Sequence, residues 1–174
     1  MTKTKKVSTE TKIHKTINIL TTLIGSVGIS LMAGLIGSFF TFSEINSWYA
    51  TLNKPVFNPP NWIFGPVWTV LYILMGISLF LIIETKNKKV INYKKVGYIV
   101  FGAQLALNTL WSLIFFGMKD LGLALFVILV LWTCIAFSIY YFNKVNKVAA
   151  ALLVPYILWV SFATVLNFSI LMLN

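Results

Sequence analysis

Five apolar stretches divide this chain, at about Thr16 to Phe42, Trp62 to Ile83, Val96 to Phe116, Leu121 to Phe142 and Val148 to Leu173, and each is longer than about 18 residues. At 1.5 Å per residue each spans a hydrocarbon core of about 30 Å, with the first and fifth long enough to tilt or project. An open sheet would leave unpaired edges in lipid, and the alternation of barrel strands is missing, so the expected fold is all-α, an integral membrane bundle of five transmembrane helices. With 59% apolar and 10% charged residues, the composition agrees. No second domain or internal repeat is visible. We divide the chain into a basic tail, 1–15, and a membrane domain, 16–174, with a proline-rich loop at 43–61.

The formal charge of +10 comes from fourteen lysines against Glu10, Glu44, Glu84 and Asp120. Their placement between apolar runs marks membrane orientation and argues against nucleic acid as a partner. Twelve lie in the tail, the second loop (Lys86, Lys88, Lys89, Lys94, Lys95) and the fourth loop (Lys144, Lys147), while Lys54 and Lys119 lie on the other side. The bias predicts an N-terminus inside, a C-terminus outside, and a tail able to touch anionic lipid. The apolar run behind the tail outlasts a signal-peptide core and lacks a small-residue cleavage pattern, so it is expected to remain as the first helix. The short link Gly117 to Asp120 requires the third and fourth helices to be antiparallel neighbours.

The chemical inventory is thin. His14 and the four acids fall outside the apolar runs, and Cys134 is the single cysteine. No nucleophilic triad, HExxH motif, paired carboxylates at depth, disulfide or CxxC site can be assembled, so hydrolase chemistry is nearly excluded and no metal site or required cofactor is expected. Proton relays and ion pumps need charge within the spans, which also argues against ion-coupled transport.

The segment Ser47 to Pro66 reads SWYATLNKPVFNPPNWIFGP. Pro55, Pro59, Pro60 and Pro66 fix φ and remove amide donors, so a stiff loop is expected there. Its rings, Trp48, Tyr49, Phe57, Trp62 and Phe64, suit an interfacial belt, or a lid stiffened by Pro55, Pro59 and Pro60 over a cavity. On the third helix Gln104, Asn108, Trp111 and Phe115 share a face, and on the fifth Trp159, Ala163, Leu166, Asn167 and Ile170 do so, with Trp68, Tyr72 and Met75 on the second. Buried carboxamides need partners, so Asn108 and Asn167 read either as interhelical links or, beside Trp68, Trp111 and Trp159, as parts of a flat apolar pocket. Small residues Ser26, Ser30 and Gly34, and Ala33 with Gly37, suit internal packing or a dimer seam, for which Gly102 and Ala106 compete.

WYATLNKPVFNPPNWIFGPVWTVLYILMG (Trp48 to Gly76), QLALNTLWSLIFFG (Gln104 to Gly117) and PYILWVSFATVLN (Pro155 to Asn167) resemble, in order, the signature motifs of the TspO/MBR family. This family comprises the tryptophan-rich sensory proteins of bacteria and the animal translocator proteins, also known as peripheral-type benzodiazepine receptors. The resemblance implies a five-helix bundle, often a homodimer, in a bacterial cytoplasmic membrane, with a cavity beneath the first long loop that takes porphyrin (protoporphyrin IX) as ligand. A sensory or stress-related role is implied, with light-dependent porphyrin breakdown or movement of tetrapyrroles and other amphiphiles as alternatives. Carried over by motif, Trp68 and Trp159 match the tryptophans linked to porphyrin handling and would be the catalytic pair if breakdown occurs. Tyr49, Asn108, Trp111, Ala163 and Leu166 match pocket-lining positions, and Phe64 is counted with them. The sequence after Leu166, NFSILMLN, lacks the Tyr and basic residue of the sterol-recognition pattern, making cholesterol a poor candidate.

Overall fold

The computed structural model describes the backbone from Lys3 and the side chains from Ile13 onward, so Lys3, Lys5, Lys6 and Lys12 of the tail lie outside the described side chains. The order is α1 (Lys3–Glu44), α2 (Trp48–Thr51), α3 (Asn61–Glu84), α4 (Ile91–Ser112), α5 (Leu121–Val145), α6 (Lys147–Leu152) and α7 (Val154–Leu173). Among the described residues five stretches are long and apolar enough to span a membrane, and the chain is an all-α integral membrane bundle.

Tail and first span are not separate elements: α1 runs unbroken for 42 residues from Lys3, about 63 Å of helix. It also extends through Glu44, so the loop begins later than 43. Within that loop Trp48–Thr51 forms one helical turn, and α3 starts at Asn61, which puts Pro66 inside the helix instead of in the loop. Pro66 is six residues into α3, near enough to its start that the missing amide costs a single early bond. The fifth span is two helices, because Pro155 has no amide to donate; the chain turns at Leu153 (φ −88°, ψ −9°) and resumes as α7.

Between α4 and α5 the chain reverses in the few residues expected. Leu113–Met118 is a π-turn, Lys119 takes a left-handed conformation (φ 59°), and the Asp120 carboxylate caps α5 by accepting from the Leu123 amide at 2.8 Å. A further clamp holds this end, since Lys119 Nζ lies 3.1 Å from Glu44 Oε2 on α1.

Around the bundle α1 packs between α3 and α4, α4 against α5, α5 against α7, and α6 back on α3. The span containing α4 is the most buried and that of α1 the least, at 44% and 11% of their most apolar stretches, so α4 is central and α1 peripheral. Small residues set the approach of α1. A Cβ at Gly34 would overlap the Tyr72 ring, and one at Gly76 would overlap the Val27 backbone. Ala33 and Gly37 bring α4 so close that Thr109 Oγ1 donates to the Ala33 carbonyl at 2.9 Å. Ser26 and Ser30 are likewise buried, so these stripes serve internal packing, whereas Gly102 and Ala106 remain exposed on α4.

Candidate ligand cavity

At the basic end α3 is held to α6, where Ser78 Oγ donates to the Ala149 carbonyl at 2.7 Å; toward the loop its backbone stands clear of α7. The divergence leaves a cavity of about 650 Å³, enclosed by α1, α3, α4, α7 and the start of the loop. Tyr49, Phe64, Trp68, Asn108, Trp111, Trp159, Ala163 and Leu166 all line it. Four separate segments thus bring together every residue assigned to ligand contact from the sequence.

Pro55, Pro59 and Pro60 do not line this space; from the loop only Ile45, Asn46 and Tyr49 reach it. The prolines act on backbone shape. Pro55 opens a turn closed by the Asn58 amide at 2.9 Å, and Pro60 (φ −55°, ψ 140°) is the residue from which α3 begins. The roof itself is Tyr49, from the helical turn before them. Tyr49 is only 2% exposed, and its hydroxyl donates to Asn58 Oδ1 at 2.6 Å. Burial pushes that hydroxyl's pKa up to about 12, so it remains a neutral donor at physiological pH.

Both buried asparagines have protein partners. Asn108 Oδ1 accepts a short hydrogen bond from the Tyr72 hydroxyl, and its Nδ2 donates to the Tyr156 hydroxyl at 3.1 Å, joining α3, α4 and α7 at the cavity's inner end. Asn167 Oδ1 accepts from Trp111 Nε1 at 3.2 Å while its Nδ2 donates to the Leu121 carbonyl at 3.1 Å. Interhelical linkage and pocket lining therefore coincide in the same residues. Two groups nearby are less well served: Trp159 Nε1 is buried without a partner, and Gln104 Oε1 is unpaired while its Nε2 faces Met75 Sδ at 3.8 Å.

The walls are aromatic. Trp68 stacks on Tyr72 with centroids 5.5 Å apart and meets Tyr156 edge-on at 6.1 Å. Phe64 sits edge-on to Trp159 at 6.1 Å and to Tyr49 at 6.5 Å. Because the π-turn is wider than an α-turn, consecutive residues Ile114, Phe115 and Phe116 are all buried, and Phe115 and Phe116 both line the cavity. The expected face of α4 stopped at Phe115. Tyr156 was also missed, although it lies on the α7 face one turn before Trp159 and Val160 and so was within reach of the helical period.

No Asp, Glu, Lys or His lines the cavity, and among the described residues no three His, Cys, Asp or Glu gather to hold a metal. Such a site offers stacking surface, a few fixed hydrogen bonds and oxidisable indoles, with no carboxylate, imidazole or amine in its lining.

A profile of the TspO/MBR family matches residues 26–173. A tryptophan-rich protein TspO from Chlorobaculum tepidum is 46% identical over 153 residues, covering 88% of this chain and 96% of the relative. Its counterpart from Archaeoglobus fulgidus is 42% identical, covering 87% and 96% respectively. The human translocator protein is 35% identical, covering 83% of this chain and 87% of its own.

Proposed function

The chain belongs to the TspO/MBR family, and from that premise we propose that it is a tetrapyrrole-binding membrane protein with a sensory or stress-regulatory role. One observation carries this reading. Eight residues drawn from the loop, α3, α4 and α7 converge on one charge-free cavity of about 650 Å³, inside the range of small-molecule sites. Flat rings, Trp68, Trp111 and Trp159, form its walls, and Ala163 one turn beyond Trp159 leaves space beside that indole. A flat apolar macrocycle gains stacking and burial there, while the Tyr72, Asn108 and Tyr156 links hold the walls in place before it arrives.

Replacing Ala163 with Trp tests the site. The added indole fills the cavity, so saturable quenching of tryptophan fluorescence by protoporphyrin IX should disappear while helicity and monodispersity persist. A folded Ala163→Trp protein that binds as the wild type does would refute it.

A second reading, light-dependent breakdown of the bound macrocycle, draws on the Trp68 and Tyr72 stack. An excited porphyrin can take an electron from an indole without any acid or base. Trp68→Phe and Trp159→Phe should then retain binding but lose light-driven pigment loss. Equal loss in wild type and variants would remove the indoles from any such chemistry.

The lysine bias supports an orientation with the N-terminus inside, and the family's bacterial members favour a bacterial cytoplasmic membrane as the location. Pairing of two copies along the exposed Gly102 and Ala106 of α4 is the homodimer this reading favours, since Ser26, Ser30, Ala33, Gly34 and Gly37 of α1 are already used within the chain.

A further inference from the structure

The cavity has two sides on which a ligand could enter, and they are built differently. Its roof toward water is tied down at several points. Beyond the buried Tyr49 and its bond to Asn58, the loop is clasped to the end of α7: the Asn53 amide donates to Asn174 Oδ1 at 2.9 Å, and Asn174 Nδ2 donates back to the Asn53 carbonyl at 3.0 Å. Asn53 Nδ2 adds a bond to the Leu173 carbonyl at 3.2 Å.

The wall between α1 and α3 is pinned only at its ends. At the inner end the Tyr72 ring fills the notch left by Gly34. At the outer end Asn61 Nδ2 donates to the Ile45 carbonyl and to Asn46 Oδ1, each at 3.2 Å. Between these pins lie ten residues of α1, about 15 Å of helix. Along this length the facing residues Leu35, Ser38 and Phe42 of α1 and Trp62, Gly65 and Thr69 of α3 line the cavity and are also exposed on the outside of the bundle. Leu35 is 63% exposed, Trp62 73% and Phe42 85%, and a Cβ on Gly65 would meet nothing within 4 Å. The slot's hydroxyls are spent within their own helices, Ser38 on the Leu35 carbonyl and Thr69 on the Gly65 carbonyl, so its edges present apolar surface. Both edges belong to the loop-side halves of membrane spans, so this slot faces the hydrocarbon of one leaflet.

We propose that the slot between α1 and α3 is a lateral portal, through which a flat amphiphile dissolved in the bilayer enters the cavity edge-on from lipid. The proposal rests on the cavity being a binding site, and it defines the ligand class by route: molecules that partition into the membrane before they bind. The small residues Ser38 and Gly65 keep the slot open while Asn61 and Tyr72 set its height.

The test uses the full chain in phosphatidylcholine vesicles preloaded with protoporphyrin IX. Binding is followed by stopped-flow fluorescence after fusion with proteoliposomes, and release by transfer to excess acceptor vesicles. Gly65→Phe, which projects a ring into the open slot, should slow association and release together by tenfold or more. Ser38→Phe, from the opposite edge, should do the same and guards against misfolding of the first variant. Asn53→Ala with Asn174→Ala, which frees the roof, should leave both rates as they are. Wild-type association in folded Gly65→Phe and Ser38→Phe proteins would overturn the portal whatever happens to affinity, as would faster exchange in the roof variant. Absence of saturable binding by the wild type would instead remove the tetrapyrrole reading, and the portal with it.

Discussion

Replacing Asn108 with Leu probes the junction on which the cavity depends. Leu is close to Asn in size but neither donates nor accepts, so the Tyr72 and Tyr156 hydroxyls both lose their link. Side-chain hydrogen bonds between membrane helices average about 0.6 kcal/mol and reach about 1.7, so two of them amount to roughly 1 to 3 kcal/mol. The two tyrosines should not suffer equally. Tyr72 lines the cavity, where its hydroxyl can be solvated, whereas Tyr156 is fully buried and keeps an unsatisfied group. A total near the upper end, about 2 to 3 kcal/mol, follows, which for a chain of this length corresponds to a melting temperature lower by roughly 4 to 12 °C. Thermal unfolding in detergent, read by circular dichroism, measures it. Adding Tyr156→Phe to Asn108→Leu removes the stranded hydroxyl and should restore about 1 kcal/mol; adding Tyr72→Phe should restore little. Unfolding of Asn108→Leu within about 1 °C of wild type, or equal recovery from the two tyrosine changes, would refute the assigned asymmetry.

Gly76→Ala forces a methyl against the Val27 backbone, which cannot rotate away, and should cost about 1 to 3 kcal/mol in the same melt, while Gly28→Ala meets open space and should be neutral or stabilising by up to about 1 kcal/mol. Replacing Pro59 and Pro60 with Gly releases backbone freedom at the start of α3 without touching the cavity, so affinity for protoporphyrin should fall by roughly fivefold, about 1 kcal/mol, and an unchanged affinity would separate the loop's stiffness from binding. For orientation, single cysteines at the exposed positions Asn46 and Asn87, in a chain with Cys134 changed to Ala, should react differently with an impermeant thiol reagent on intact cells: Asn46→Cys labels and Asn87→Cys does not, and the reverse pattern would invert the topology.

Lipid is an unforgiving solvent, and whatever it constrains could be read from the chain alone. A backbone crossing it must satisfy its own hydrogen bonds, so apolar runs of sufficient length are helices, and their number and order were legible before any packing was known. The inward faces of the third and fifth spans were legible for a related reason: an amide such as Asn108 or Asn167 cannot face hydrocarbon, and the helical period then carries Trp111, Ala163 and Leu166 to the same side. Where helices end was less legible, because one proline is tolerated and another is not. Pro66 lies within α3, whereas Pro155 divides the last span, and residue type does not distinguish the two. Packing alone decided which small residues meet a neighbour: Gly34 receives the Tyr72 ring and Gly37 faces Ser112, while Gly102 faces outward, although all three read alike in the sequence. The cavity's outer wall was equally invisible. Leu35, Ser38 and Phe42 belong to it because α1 and α3 are pinned at two levels and separate between them, and a gap between helices depends on where both axes run, which no local pattern in either helix encodes.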